Sequence, residues 1–229
     1  MQKNILITGA SGFLGQATVK KFIEEGHNII AVVPQQESLN SYGGKIKVYT
    51  ADLMDEREAD RVAGKIVSEH ERIDAAILLV GGYTYGDITM ADGESLKRMI
   101  ALNFETAYFT VKPVFHQMLL QPQGGKIIFI GAKPTLDPSE GKNSLAYSLS
   151  KSLLFKLAEY LNEEGSAKNV KATMVVPSII DTPQNRSDMP QADFSKWVKP
   201  EEIAEVLAFV CSEKGDVLKD TVLKVYGRL

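Results

Sequence analysis

The chain has 229 residues, 44% of them hydrophobic and 24% charged, with a formal net charge of −3. A chain of this length and composition can bury a large core, and its slightly acidic balance offers no positive field to a nucleic acid. A single cysteine, Cys211, rules out an intrachain disulfide and fits a reducing, cytoplasmic setting. No run approaches the roughly 20 apolar residues of a membrane span, and the apolar stretch 5–7 stops too soon, at Thr8-Gly9, for a signal peptide.

A strand over 4–8 leads into Thr8-Gly9-Ala10-Ser11-Gly12-Phe13-Leu14-Gly15 and a helix over 13–25. Three glycines at this spacing allow a tight turn, close approach of backbone to a phosphate, and close helix–strand packing. The helix start adds free N–H groups and a positive dipole end. Gly9, Ser11, Gly12, Phe13, Leu14 and Gly15 are therefore expected to line the pyrophosphate of a dinucleotide.

The second strand, 28–33, ends in Val33-Pro34-Gln35-Gln36. An acid here selects the ribose hydroxyl of NAD and an arginine the phosphate of NADP. Neither is present, so the cofactor is NAD or NADP with the preference open. After the third strand, 45–50, comes Asp52-Leu53, where the adenine is expected. Two readings of Asp52 stand open: it accepts from the adenine amino group, or it caps the helix at 55–69. Glu56, Arg57, Glu58, Asp60 and Arg61 read as the solvated face of that helix.

The fourth strand, 74–80, is almost continuously apolar, as suits a parallel strand covered on both faces. A long helical pattern spans 92–120, and Pro113 within it is expected to kink the helix or split it near Lys112. Strand 126–131, helix 145–164, strand 171–176, an irregular segment 181–199, helix 200–212 and strand 221–226 complete the chain. Cys211 lies in an apolar helix and reads as core. The alternation predicts one α/β domain over 1–229: a Rossmann-type, doubly wound fold with a seven-stranded, mostly parallel sheet flanked by helices. The segment 181–199 is long for a compact domain and reads as a substrate loop. Trp197 within it either covers a pocket or anchors the loop's return.

Tyr147 and Lys151 open the helix at 145–164, four residues apart and so on one face. A phenol with a pKa near 10 is a poor acid–base group at neutral pH. A neighbouring ammonium favours the phenolate, after which the tyrosine can exchange a proton with a substrate heteroatom. His27, His70 and His116 fall on separate elements without ligand spacing, so no metal site is expected.

With the glycine turn, Asp52-Leu53, Asn103, Tyr147, Lys151 and Pro177 in place, the chain resembles the short-chain dehydrogenase/reductase family over its full length. The resemblance implies an NAD(P)-dependent oxidoreductase with Tyr147, Lys151 and Asn103 as its catalytic set. It also implies cofactor contacts from Gly81, Gly82, Asn103, Tyr147, Lys151, Pro177 and Ile180. Asn103 is expected either to hold a proton-relay water or to face a neighbouring backbone. The family's serine after the fifth strand is missing: the chain reads Ile130-Gly131-Ala132-Lys133, with Thr135 and Ser144 as the available substitutes.

Gly131-Ala132-Lys133, Leu136-Asp137 and the stretch 181–197 are similar to the dihydropteridine reductase branch, which also lacks that serine. This likeness implies reduction of a quinonoid dihydropteridine-like ring, with Tyr83, Ala132, Lys133 and Tyr147 facing the substrate. Tyr83, after Gly81-Gly82, can stack a flat ring or stand as a plain loop aromatic. The alternatives are a reductase of small carbonyl compounds and a non-catalytic NAD(P)-binding regulator. The apolar residues of 92–120 and 145–164, with the family resemblance, imply a homodimer or homotetramer acting on a small molecule, with no nucleic-acid or membrane partner.

Overall fold

The computed structural model describes residues 1–35, 43–218 and 221–228; Gln36, part of the strand-two reading, lies outside them. The described residues form a seven-stranded sheet in the order β3-β2-β1-β4-β5-β6-β7. The strands are β1 (Asn4–Thr8), β2 (Asn28–Val33), β3 (Ile46–Thr50), β4 (Ala75–Leu78), β5 (Gly125–Ile130), β6 (Val170–Pro177) and β7 (Val222–Val225). Every pairing is parallel, so the mostly parallel sheet expected from the sequence is parallel throughout. The order reverses between β1 and β4, and such a switch point opens a crevice at the carboxyl ends of the strands.

The helices are α1 (Phe13–Glu24), α2 (Glu56–Glu69), α3 (Gly93–Ile100), α4 (Thr106–Leu120), α5 (Pro138–Gly141), α6 (Leu145–Gly165), α7 (Pro183–Asp188) and α8 (Pro200–Cys211). Two cores lie on opposite faces of the sheet. On one side Leu6, Ile30, Ala76 and Phe129 pack with Val62 and Ile66 of α2, Val111 and Met118 of α4, and Leu154 of α6. On the other, Ile5, Ile7 and Ile128 pack with Val19 and Phe22 of α1 and Ile203 and Leu207 of α8. Strands with both faces buried explain the unbroken apolar runs in the sequence. Each fully buried Leu, Ile or Phe stabilises the fold by roughly 1.5–3 kcal/mol.

The pattern at 92–120 is two helices, not one, and Pro113 is not the break. A π-helical turn over Ala101–Glu105 joins α3 to α4, with the Thr106 N–H bonded to the Ala101 carbonyl. α4 runs unbroken through Pro113, because Val111, Val114, Phe115 and Met118 are held in the core around it. The lost bond to the Phe109 carbonyl is outweighed by that packing. The segment 181–199 also holds more regular structure than expected: α7, whose N-terminal Thr182 caps Asn185, and a short 3-10 turn at Phe194–Lys196. Trp197 is buried against Phe194, with ring centroids 4.8 Å apart, beside the bridge joining Ile180 to Val198. That is the anchoring role. Cys211 is core, and burial pushes its thiol up to about 12.

Candidate active site

The β1–α1 turn is shaped by close backbone approaches. Gly9 sits at φ +64, where only glycine is unstrained, and its carbonyl accepts from the Gly12 N–H at 3.1 Å. A Cβ on Gly15 would stand 2.1 Å from the Gly9 carbonyl oxygen, so the third glycine lets α1 close on the turn. No side chain caps α1, and its first turn carries no acid. Its leading N–H groups at Phe13 and Leu14 thus lie uncapped at the dipole's positive end. This cradle of backbone and helix end fits a pyrophosphate.

Along the crevice, Asp52 is exposed; its carboxylate accepts from the Met54 N–H at 2.9 Å, and its own N–H donates to Glu58. The cap of α2 is Asp55, which accepts from Arg57 and Glu58. The capping reading of Asp52 therefore falls to its neighbour three residues on. Leu53 is buried beneath.

The residues after β4 meet α6 across the π turn. Asn103 is fully buried there. Its Oδ1 accepts from the Gly82 N–H at 2.9 Å, while Nδ2 donates to the Gly82 carbonyl at 3.1 Å and to Ser150 Oγ at 3.0 Å. With both amide hydrogens engaged and the oxygen bonded, the side chain grips a neighbouring backbone, which is the second of the two readings above. Lys151 is 6% exposed and donates from Nζ to the Ile130 carbonyl at 3.0 Å. A Cβ on Gly81 would lie 2.7 Å from Asn103 Oδ1 and 3.0 Å from Lys151 Nζ, so only a glycine lets these groups close on the turn.

Tyr83 and Tyr147 face each other edge-on, with ring centroids 5.0 Å apart and planes at 69°. The Gly86 N–H donates to the Asn143 carbonyl and the Leu145 N–H to the Gly86 carbonyl, and this strap holds Tyr83 against the first turn of α6. Tyr83 is 63% exposed. The Tyr147 ring is half-buried, and among the described residues its hydroxyl has no hydrogen-bond partner although every fully buried polar side-chain atom has one. The hydroxyl is therefore not sealed within the protein.

Burial pushes the Tyr147 phenol above its usual value, and the neighbouring Tyr83 phenol adds to the rise. The sequence expectation that the Lys151 ammonium lowers it is not met by the protein alone. Burial instead lowers Lys151 itself to about 8.

Ala132 is buried at the end of β5, and its carbonyl accepts from Thr135 Oγ1 at 2.5 Å. Ser144, also buried, lies 3.3 Å from Ser148 Oγ. Both candidate substitutes for the missing serine thus already hold partners within the protein. Lys133 pairs with Glu140 at 2.7 Å and lies 5.5 Å over the Tyr226 ring, a commitment that raises its pKa. Pro177 is buried at the end of β6. Ile180 is tied to Val198 by the bridge at the neck of the segment 181–199, and its carbonyl accepts from Asn185 Nδ2. Ser150 was missed by sequence reasoning; a buried serine between Tyr147 and Lys151 carries no local signature of its distant partner.

The family model for short chain dehydrogenases matches residues 3–193. Dihydropteridine reductase of Dictyostelium discoideum is 30% identical over 210 residues, covering 90% of this chain and 87% of the relative. The 3-oxoacyl-[acyl-carrier-protein] reductase of Thermotoga maritima is 24% identical over 242 residues, covering 99% and 97%. Among solved structures, NADP-bound ElxO superposes with a TM-score of 0.88 at 22% identity, covering 99% of this chain and 98% of the other. Similarity of that kind shows the shared fold, and the sequence matches carry the family. The chain belongs to the short-chain dehydrogenase/reductase family of NAD(P)-dependent oxidoreductases.

Proposed function

We propose that this enzyme reduces a flat, quinonoid dihydropteridine-like ring. The carrying observation is the Tyr83–Tyr147 pair: an exposed phenol ring set edge-on to the phenol whose hydroxyl is open. A flat ring seated on Tyr83 would present a nitrogen to Tyr147. The end of β5 offers Gly131 and Ala132 and no hydroxyl to polarise a ketone. A quinonoid ring needs no such polarisation. The Dictyostelium relative supports the same reading.

In this reading Gly9, Ser11, Gly12, Phe13, Leu14 and Gly15 hold the pyrophosphate, and Asp52 and Leu53 flank the adenine. Gly81, Gly82, Asn103, Pro177 and Ile180 border the nicotinamide end. The bound dinucleotide supplies a hydride. Tyr147 gives its hydroxyl proton to the substrate ring, and Lys151 holds the ribose and favours the phenolate left behind. Tyr83, Ala132 and Lys133 form the substrate wall, with Lys133 placed by Glu140 and Tyr226. The segment 181–199 closes over the site and keeps water from the hydride path. The whole chain, 1–229, acts as one domain, in a reducing compartment such as the cytoplasm, as a homodimer or homotetramer.

A second reading, reduction of a small carbonyl compound, is favoured by the matches to the Thermotoga enzyme and to an acetoacetyl-CoA reductase of Acinetobacter, 26% identical over 245 residues. One screen decides. The protein is offered NADH and NADPH in turn, each with quinonoid dihydropterin, diketones and quinones. Both cofactors are needed because Pro34 and Gln35 supply neither the acid nor the arginine that would select one. Turnover of diketones with none of the pterin would reject the pteridine reading.

A further inference from the structure

We infer that Ser150 is a positioning residue: its buried hydroxyl, acting through the Asn103 amide, sets the spacing between the Gly81–Gly82–Tyr83 turn and the α6 face that carries Tyr147 and Lys151. This rests on the assignment of Tyr147 as proton donor and Tyr83 as the substrate's neighbour.

Ser150 is fully buried and lies one residue before Lys151. A serine in a helix interior gains little locally, because its hydroxyl competes with the backbone. Here that hydroxyl has two definite partners. It donates to the Tyr147 carbonyl at 2.7 Å and accepts from Asn103 Nδ2 at 3.0 Å. The rest of the Asn103 amide is taken up by the Gly82 peptide, its N–H at 2.9 Å and its carbonyl at 3.1 Å. The result is one continuous chain, buried at its Asn103–Ser150 link: Gly82 peptide, Asn103 amide, Ser150 hydroxyl, Tyr147 carbonyl.

The two ends of that chain adjoin the two rings of the site. Gly82 precedes Tyr83, and the Tyr83 ring meets the Tyr147 ring at 5.0 Å. The same pair is thus braced twice, once by ring contact near the substrate and once by hydrogen bonds beneath it. Among the described residues no fully buried side-chain polar atom lacks a partner. Deleting the Ser150 hydroxyl would leave one Asn103 N–H with only the Met99 sulfur, a weak acceptor at 3.7 Å, and the turn should shift to give it a better partner. The π turn is what brings Asn103 inward to join the chain.

A serine that merely bonds back to its own helix would affect stability alone. The two cases separate in protein labelled with 13C-tyrosine, where ring-to-ring cross-peaks between Tyr83 and Tyr147 report their contact without any substrate. Ser150→Ala, and Ser150→Cys as a near-isosteric variant with a weak donor and acceptor, should retain the fold but lose or weaken those cross-peaks. On whichever substrate of the screen the unaltered enzyme accepts, kcat should fall about tenfold or more with KM changed less than threefold. The Ser150→Ala/Asn103→Ala double variant should be no worse than the poorer single, as expected of two groups in one chain. Wild-type cross-peaks in both Ser150 variants, or losses that add independently in the double variant, would overturn the inference. If the unaltered enzyme turns over nothing in the screen, the functional reading fails while the cross-peaks still decide the role of Ser150.

Discussion

Gly81 lies so close to Lys151 that a Cβ on the glycine would stand 3.0 Å from Nζ, and 2.7 Å from Asn103 Oδ1. The lysine tail can give way; the asparagine oxygen, bonded to the Gly82 N–H, cannot do so without losing that bond. Gly81→Ala should therefore strain the Asn103–Gly82 bond and displace the lysine tail, the group proposed to hold the ribose. The expected cost is about tenfold in NAD(P)H affinity, about 1.4 kcal/mol, read by fluorescence titration. Wild-type affinity would show that Lys151 is not part of the cofactor site.

The pyrophosphate placement has a clean probe in Gly12. A Cβ there meets only the Gly9 carbonyl oxygen at 3.4 Å, an ordinary contact, whereas one on Gly15 would meet it at 2.1 Å. Gly12→Asp is thus tolerated by the fold but sets a carboxylate at the N-terminus of α1, where an anion should bind. Binding of NAD(P)H should be abolished by repulsion and steric block. Unchanged affinity by calorimetry would refute the placement.

The particular residues show what could be read in advance. The strands at 4–8 and 28–33 are observed with those bounds, because apolar runs broken by Gly, Pro and polar residues carry their own limits. The glycine turn and the Tyr147–Lys151 face are likewise local patterns. The π turn was not legible, since its extra residue leaves the hydrophobic period of 92–120 nearly unchanged. The partners of Asn103 were not legible either, lying 21 and 47 residues away in sequence. Lys133 was read for its charge, and only the fold reveals Glu140 and Tyr226 around it. The sign of the Tyr147 shift needed burial, a tertiary quantity, to be decided.

Assembly is expected from the outer face of α6. Leu149, Leu153 and Tyr160 are exposed at helical spacing, and Tyr108 of α4 is exposed as well. A second copy related by a twofold axis would cover this surface. Light scattering at micromolar concentration should give at least the mass of a dimer, and Leu153→Glu should lower it. A monomeric wild-type mass would contradict the expectation.

Lys151 makes the stability of the fold depend on pH. Its folded pKa is about 8 against 10.5 for the free side chain. Between those values the unfolded chain binds the extra proton, so stability rises with pH across that window. Below about 8 the cost of the buried ammonium is present in full. From about pH 9 the raised Cys211 thiol, and above about 10 the raised Tyr147 and Tyr49 phenols, act in the opposite direction, so the clear interval is roughly pH 8 to 9. Lys151→Met should flatten the rise in denaturation midpoint there. Equal slopes in the two proteins would show that Lys151 is not held low.

Tyr147→Phe tests the chemistry. If the phenol donates the proton, its loss should cut turnover by roughly 10²–10⁴-fold, the usual contribution of acid–base catalysis. Cofactor binding should persist, because among the described residues the hydroxyl has no protein partner whose loss would disturb the site. Lys151→Ala should damage both steps, since the ammonium is assigned to the ribose and to the phenolate. The substrate decides the size of the Tyr147 effect. A quinonoid pterin is easily reduced and can take its proton from water, whereas a ketone needs the proton delivered as the hydride arrives. A small effect of Tyr147→Phe on the pterin beside a large one on a ketone would support the pteridine reading. Full activity of Tyr147→Phe on every accepted substrate would remove Tyr147 from the chemistry and leave it as the ring against which Tyr83 packs.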